Sequence, residues 1–232
     1  GEDSYIPVFN VGEMAGRVIA AAHHVPFFTT THQRGHIRAA KVDSGLKAGK
    51  FLALHLSGGT TDVLFMDGEI LTPLGTSMDL HAGQLVDRVG VALGLPFPSG
   101  PHLETLARQG NAKALVPVSM DEKSLQCHLS GAEAQLMRMI QKEENPNDIA
   151  AEVYSILCRT VLRLLKAAAD QTGTNEILLA GGVMSSSLLR ELLLERNEKR
   201  RLQLHLHFGR PEYSGDNAVG VALIGLEKLQ GG

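Results

Sequence analysis

Two apolar runs in the first third of the chain, Phe51–Leu56 and Val63–Met66, predict β-strands. Both alternating faces of each run are largely apolar, which is typical of strands buried on both sides of a sheet. The dipeptide Asp67-Gly68 favours a hairpin turn, and a third strand is expected to end near Gly75. The pattern therefore predicts three consecutive strands between 51 and 75.

The loop between the first two predicted strands is Ser57-Gly58-Gly59-Thr60-Thr61. Adjacent glycines let the backbone turn without Cβ clashes, and they expose consecutive N–H groups of the kind that hold phosphate oxygens. A strand–SGG–strand hairpin is typical of the phosphate loops of actin and sugar kinases, whereas a P-loop leads into a helix. A plain β-hairpin with a glycine turn is the alternative interpretation.

Apolar residues at helical spacing predict most of the remaining elements. Helices are expected at 11–24, from His32 onward, at 79–95, 102–109, 130–140, 149–171 and 185–198, and near the end of the chain, with short strands at 25–28, 176–180 and 202–208. Ser130 and Glu133 have the spacing of a capping box, which marks the start of a helix. Because helices crowd the middle of the chain, we expect a helical insertion from about 79 to 172.

Two histidines lie near the start of the second predicted helix, after the N-cap hydroxyls of Thr29-Thr30-Thr31. His32 and His36 are four residues apart, so both imidazoles would leave the same helix face and are spaced to share a metal ion. No Glu follows His32, which excludes the HExxH motif of metalloproteases. Two surface histidines are the alternative interpretation.

A second glycine pair, Gly181-Gly182, lies between a predicted strand and a predicted helix. Such a junction directs the N-terminal amides of the helix, and the positive end of its dipole, at an anion. Ser186 is suited either to bind a ligand or to cap the helix. Asp216 lies near the start of the last predicted helix, where a cap is again the alternative.

The composition narrows the classes of function. The 232 residues are 44% hydrophobic, enough for a packed core, and their net charge of −3 argues against a strongly basic nucleic-acid binder. Cys127 and Cys158 have neither metal-site spacing nor a disulfide framework, so we expect a reducing, cytoplasmic location. No apolar run approaches the ~20 residues of a membrane span, and the first residues lack a signal-peptide pattern.

Six segments resemble, in order and spacing, the motifs of the TsaD family, also called Gcp and once labelled O-sialoglycoprotein endopeptidases. They are THQRGHIRAA, LHLSGGTTDVL, MDLHAGQLVDRVGVALGLPFPSGP, LSGAEAQ, LAGGVMSSSLLR and RPEYSGDNAVGVA, and they span nearly all of residues 15–228. The resemblance implies an α/β fold of the actin-like ATPase class (ASKHA, RNase-H-like). Residues 1–50 would be the remainder of an incomplete first lobe, and 51–232 the second lobe with its helical insertion.

The resemblance also implies an activity, which is the metal-dependent transfer of a threonylcarbamoyl group from an adenylate to N6 of adenosine-37 in tRNA. The implied cofactors are a divalent metal ion, iron or zinc, and an adenine nucleotide or threonylcarbamoyl-adenylate. The implied partners are tRNA, a TsaB-like or other tRNA-modification protein and a second copy of the chain, with no membrane.

Site residues follow from the matching positions of the motifs. The metal triad of the family falls on His32, His36 and Asp216. The substrate loop falls on Leu56, Ser57, Gly58, Gly59 and Thr60, and the nucleotide pocket on Asp87, Gly100, Gly181, Gly182 and Ser186. No catalytic residue is assigned, because the sequence shows no convincing general base and no Ser–His pair.

Several positions depart from the family pattern. Arg34 stands where the family has Glu, Thr60 where it has His, Leu80 where it has Asp, and Ser186 where it has Asn. A serine hydroxyl is too short to contact both a ribose and a carbamoyl group, as an amide does. The alternative hypothesis is therefore a catalytically degenerate paralog that acts as a protein-binding scaffold. A sugar kinase is disfavoured, because it needs a catalytic Asp that these segments do not supply.

Overall fold

The computed structural model describes residues 7–215 and 218–230. The chain divides into two compact units. One contains the residues up to Ala39 and those from Asp216 onward, and the other is Ala40–Gly215. The predicted division into lobes at residue 50 stays a prediction.

The larger unit, Ala40–Gly215, is built on a five-stranded mixed sheet. The strands are β1 (Lys50–Leu56), β2 (Thr61–Asp67), β3 (Ile70–Thr76), β4 (Ser119–Asp121), β5 (Gln126–His128), β6 (Glu176–Ala180) and β7 (His205–Phe208). The sheet has the order β3-β2-β1-β6-β7, and β4 and β5 form a separate hairpin. The first three strands pair antiparallel, whereas β6 lies parallel to both β1 and β7. The three strands predicted between 51 and 75 are confirmed.

Helices cover the sheet of the larger unit. The described helices of the chain are α1 (Pro7–Ala22), α2 (His32–Lys41), α3 (Ala82–Ala92), α4 (Gly100–Ala107), α5 (Ser130–Gln141), α6 (Pro146–Thr172), α7 (Ser187–Lys199) and α8 (Val219–Gln230). The long helix α6 is the centre of the core, because it contacts α3, α4, α5, α7 and the strands β1 and β2. None of the described helices is both long enough and apolar enough to span a membrane.

Local sequence signals explain where α6 begins and ends. The Asn145 side chain accepts a hydrogen bond from the amide of Asn147 at 2.9 Å, and Pro146 occupies the first helical position. Gly173 ends the helix in the left-handed conformation, with φ of 68°. The helix therefore carries its own start and stop signals.

The predicted capping box at the start of α5 is wrong. Glu133 pairs with Arg88 at 3.2 Å, and the Ser130 hydroxyl donates to Asp79. Asp79 also accepts from the amide of Leu129 at 2.8 Å. A carboxylate that is distant in sequence therefore satisfies the first amides of this helix, which the local pattern alone could not show.

Two predicted strands also differ from the structure. Residues 25–28 form no strand, and the last strand is shorter than predicted, beginning at His205 rather than near Leu202. Phe27 explains the first difference, because its ring packs where Gly16 of α1 leaves space for it. Arg17 lies over the same ring, 4.9 Å from its centre. The side chain is therefore used in packing against a helix.

In the smaller unit, α2 and α8 approach each other at the level of the backbone. A Cβ atom on Gly220 would lie 1.8 Å from the carbonyl oxygen of Gly35, so a larger residue would separate the helices. Arg38 also donates to Glu227 at 2.7 Å. The glycine at position 220 is therefore required by the close contact of two helices.

Candidate functional site

A cavity of about 420 Å³ opens in the larger unit where several loops meet. It is lined by Gly58, Gly83, Val86, Asp87, Pro98, Gly100, Pro101, Glu104, Tyr154, Gly182, Val183, Ser185 and Ser186. Five residues predicted from the sequence are among them, namely Gly58, Asp87, Gly100, Gly182 and Ser186. The structure therefore brings the SGG loop, α3, α4 and the second glycine turn to one cavity.

The remaining predicted residues of the loops lie beside the cavity and do not line it. Leu56 is the buried last residue of β1, and Ser57, Gly59 and Thr60 belong to the turn that follows. Gly181 has a φ of 97°, and a Cβ atom there would lie 2.2 Å from the carbonyl oxygen of Leu56. The second glycine turn therefore packs directly against the end of β1, next to the first.

Hydrogen bonds hold the SGG loop in a tight turn. The amide of Ser57 donates to the carbonyl of Thr60 at 2.8 Å, and its hydroxyl accepts from the amide of Gly59 at 3.3 Å. The start of α3 packs on this loop, because the amide of Gly83 donates to the carbonyl of Ser57 at 3.0 Å. A Cβ atom on Gly83 would lie 2.7 Å from the amide nitrogen of Gly58. Sequence reasoning missed Gly83, whose role depends on this contact.

Asp87 is fixed by the loop that precedes α4. Its Oδ1 atom accepts a hydrogen bond from the amide of Ser99 at 2.7 Å. One turn further along α3, a Cβ atom on Gly90 would lie 2.2 Å from the Cβ of Ser99. This close approach of helix and loop orients the carboxylate at the cavity wall.

Glu104 is a cavity residue that sequence reasoning missed. Its Oε1 atom accepts from the hydroxyl of Ser187 at 2.7 Å, from the amide of Leu188 at 2.8 Å and from Arg108 at 3.2 Å. Burial raises the pKa of Glu104, but these hydrogen bonds lower it by more, so it lies below its ordinary value. The carboxylate is therefore ionised at neutral pH. The sequence could have indicated Glu104, because it lies four residues after the predicted pocket residue Gly100 and therefore on the same face of α4.

Ser186 and Tyr154 complete the polar part of the wall. The Ser186 hydroxyl caps α7 by accepting from the amide of Leu189 at 3.1 Å, which is one of the two roles considered for it. The Tyr154 hydroxyl donates to the carbonyl of Gly100 at 3.1 Å. Burial raises the pKa of Tyr154 well above its usual range, so the phenol remains a neutral donor.

The two histidines predicted to bind metal point toward each other in the smaller unit. Thr31 caps α2 by accepting from the amide of Arg34 at 3.3 Å, as the sequence predicted. The Nε2 atoms of His32 and His36 lie 2.9 Å apart. Two nitrogen ligands at right angles, each about 2.1 Å from one ion, would be separated by about 3.0 Å. The two imidazoles are within hydrogen-bonding distance of each other, and their separation is close to that of adjacent ligands of one octahedral ion.

The third predicted ligand, Asp216, lies outside the described residues. Within 7–215 and 218–230, no group of three or more His, Cys, Asp or Glu side chains is arranged to hold a metal ion. The metal triad and the site roles of the individual residues stay predictions.

Comparison with known proteins identifies related sequences. The family model described as TsaD, tRNA N6-adenosine threonylcarbamoyltransferase, matches residues 6–223. A curated tRNA N6-adenosine threonylcarbamoyltransferase from Oenococcus oeni is 32% identical in an alignment of 224 residues, which covers 93% of this chain and 63% of that protein. The chain thus spans less than two thirds of the length of this relative.

Solved structures with low sequence identity share the fold. HypF from T. kodakarensis matches with a TM-score of 0.73 and 16% identity, over 93% of this chain and 39% of that one. Full-length HypF in its phosphate- and nucleotide-bound form matches with a TM-score of 0.66 and 12% identity, over 80% and 40% of the two chains. The predicted α/β fold of the actin-like ATPase class is confirmed.

Proposed function

The chain belongs to the TsaD family, and from this membership we propose that it binds an adenine nucleotide in the 420 Å³ cavity and transfers a threonylcarbamoyl group to adenosine-37 of tRNA. The proposal is supported by one observation above all. Two glycine turns and two carboxylates, which the sequence separates widely, line the same cavity. A nucleotide needs both kinds of group, because it has an anionic end and a hydroxyl-bearing ribose.

The polarity of the cavity suggests how the ligand is oriented. The amide nitrogens of Gly58 and Gly182 make no hydrogen bond within the part of the chain that the structure describes, so they are available to phosphate oxygens. The carboxylates of Asp87 and Glu104 repel phosphate and accept hydrogen bonds from hydroxyl groups. We therefore expect the phosphate at the glycine turns and the ribose at the carboxylates.

The proposed transfer needs positioning more than a reactive side chain. The acceptor amine of adenosine forms a bond to the carbamoyl carbon and releases one proton to water, and the bond from that carbon to the phosphate oxygen of AMP breaks. Amides at the glycine turns would stabilise the negative charge that remains on AMP. Cys127 and Cys158 are unsuited as nucleophiles, because burial raises the pKa of each thiol to about 11.

His32, His36 and Asp216 are the residues we propose as ligands of a divalent metal, iron or zinc. The 2.9 Å separation of the two Nε2 atoms supports the first two. A divalent ion bound there would supply positive charge for a phosphate or carbonyl oxygen of the donor.

A binding role without catalysis is the second candidate, and one observation favours it. Ser186 replaces the family's pocket asparagine, and its hydroxyl is already used to cap α7. It therefore has less capacity to bind a ligand than an amide would have. In this alternative the chain contributes its fold to a complex with another tRNA-modification protein.

Calorimetric titration with AMP and ATP, alone and with a TsaB-like partner, distinguishes the two candidates. The transferase proposal predicts saturable binding of an adenine nucleotide in at least one condition. Flat titrations in both conditions would reject nucleotide binding and would favour the scaffold.

A further inference from the structure

A second cavity, of about 260 Å³, lies between α4, α6 and α7. Tyr154 lines both this cavity and the larger one, so its side chain is a common wall. Small residues such as Ala107, Gly110 and Ala151 leave the space open. Because the volume lies just below the usual range of ligand sites, about 300–1,000 Å³, the occupant is expected to be small.

The charged groups of this second cavity are all positive. Arg108 and Arg196 line it, and no carboxylate does. Arg108 is already neutralised, since it makes two hydrogen bonds to Glu191 at 3.0 Å and one to Glu104 at 3.2 Å. Arg196 makes one long hydrogen bond, 3.4 Å from Nη2 to the hydroxyl of Ser155, among the described residues.

Neighbouring residues add to the positive field. Burial lowers the pKa of Arg159, and the charges of Arg196 and Arg200 lower it further. Glu152 partly compensates Arg159 by accepting from its Nη2 atom at 3.3 Å. Glu195 lies near the same arginines. The charges of Arg196, Arg200 and Arg159 lower the pKa of the Cys158 thiol, whereas the charge of Glu195 raises it. Among the described residues, Arg196 makes no ion pair with a carboxylate within 4.0 Å.

We propose that this second cavity binds a phosphate group, held by Arg196 and the hydroxyl of Ser155. A guanidinium group presents several donors to phosphate oxygens. Ser155 is only 1% exposed. Its hydroxyl oxygen accepts from Arg196, which leaves its proton available for donation to a phosphate oxygen. The phosphate belongs either to a small monoester or to the backbone of a nucleic acid.

The site is positioned to influence the larger cavity. Arg108 lines the second cavity and donates to Glu104, which lines the first. A phosphate held by Arg196 would compete with Glu104 and Glu191 for Arg108, and this competition would weaken the hydrogen bond to Glu104. Any such coupling between the two ligands has to be reciprocal.

Site-resolved NMR of the full chain tests the proposal, since the protein has a mass of 24.9 kDa. Inorganic phosphate is titrated while the side-chain Nε–Hε signal of Arg196 and the backbone amide of Gly182 are followed separately. The Arg196 signal is assigned by its loss in Arg196→Gln. We expect this signal to shift saturably at millimolar phosphate. Because Gly182 reports on the larger cavity, failure of nucleotide binding there leaves this readout intact.

Matched variants decide the outcome. In Arg196→Gln, the phosphate affinity measured on the amide of Ser155 should fall at least about 10-fold, which corresponds to the loss of one charge-assisted interaction. Arg201→Gln removes an exposed cation that does not line the cavity and should change the affinity less than two-fold. A linear shift of Arg196 that matches the shift of Arg201 would overturn the proposal, because it would indicate only a diffuse ion atmosphere.

Two further ligands identify the source of the phosphate. Glycerol phosphate represents a small monoester, and a short single-stranded oligoribonucleotide represents a backbone. A site for a small monoester should bind glycerol phosphate and should not bind the oligoribonucleotide. A backbone site should bind the oligonucleotide more tightly, with an affinity that falls steeply with salt. If neither ligand shifts Arg196 saturably, the site does not exist.

Discussion

The hydroxyl of Ser187 donates to the Oε1 atom of Glu104 across 2.7 Å. This hydrogen bond joins the start of α7 to a carboxylate on α4, and it fixes one oxygen of a residue that lines the larger cavity. The amide of Leu188 donates to the same oxygen. The orientation of Glu104 therefore depends on a helix more than 80 residues away in the sequence.

The first prediction concerns the charge of Glu104. Glu104→Gln keeps the shape of the side chain but replaces an ionised acceptor with a neutral amide. We expect AMP binding, measured by calorimetry, to weaken about 10-fold, because hydrogen bonds to charged groups contribute about 1.5–3 kcal/mol.

Glu191→Gln is the matched control for this experiment. Glu191 is exposed, pairs with Arg108 and does not line the cavity. Its substitution should leave AMP affinity within about two-fold of wild type, since exposed ion pairs contribute little. Equal losses in both variants would mean that the effect is structural, and that Glu104 does not contact the ligand.

The second prediction concerns the contact between α3 and the SGG loop. In Gly83→Ala the new Cβ atom would lie 2.7 Å from the amide nitrogen of Gly58, so the loop has to move. We expect AMP binding to fall below detection by calorimetry and the melting temperature to decrease.

Gly131→Ala provides the control, because a Cβ atom at Gly131 in α5 meets no atom within 4 Å. Alanine is favoured over glycine in a helix by up to about 1 kcal/mol, so this variant should be as stable as wild type or more stable. Unchanged AMP binding in Gly83→Ala would show that the SGG loop does not hold the nucleotide.

The third prediction is a pH dependence of stability. Burial raises the pKa of Asp79, but hydrogen bonds from Ser130, Leu129 and Leu80 lower it by more, so the folded-state pKa lies below the ordinary 3.8. The resulting stabilisation is fully present above pH 3.8 and is lost as the pH falls through the folded-state pKa.

Urea unfolding as a function of pH measures this contribution. Asp79→Asn should lower the stability at pH 7 and make the decrease in stability below pH 4 less steep. Asp67→Asn, at the exposed end of β2, should leave that decrease unchanged. If the stability decreases below pH 4 equally in wild type and in Asp79→Asn, Asp79 is not the source of this pH dependence.

The sequence predicted the sheet and the glycine turns because these features depend on local chemistry. Continuous apolar runs predict β1 and β2 as strands buried on both faces, and paired glycines favour the turns that follow β1 and β6. The capping roles considered for Thr31 and Ser186 have the same local basis. Their partners lie within three residues along the chain.

Features that depend on distant contacts could not be predicted from the sequence. The capping box at Ser130 failed because Asp79 satisfies the first amides of α5. Glu152 is another example, since it is 1% exposed and accepts from the amides of Ala114 and Val116. From the sequence alone, an acidic residue in such a helix is predicted to face solvent, because the distant groups that bind it are not visible in the local pattern.

The fourth prediction concerns the metal. The protein purified without chelators should contain iron or zinc, measured by elemental mass spectrometry, and His32→Ala should lose it because one imidazole ligand is removed. His205→Ala is the control, since His205 pairs with Glu176 at the edge strand β7. A metal content that is equal in wild type and His32→Ala would remove His32 from the ligand set.

The transfer reaction itself tests the central proposal most directly. Threonylcarbamoyl-adenylate and unmodified tRNA are incubated with the protein and a TsaB-like partner, and the modified nucleoside is quantified by mass spectrometry after digestion of the tRNA. The transferase proposal predicts threonylcarbamoyladenosine above the level without protein. Product at the background level, while another family member is active under the same conditions, would contradict it.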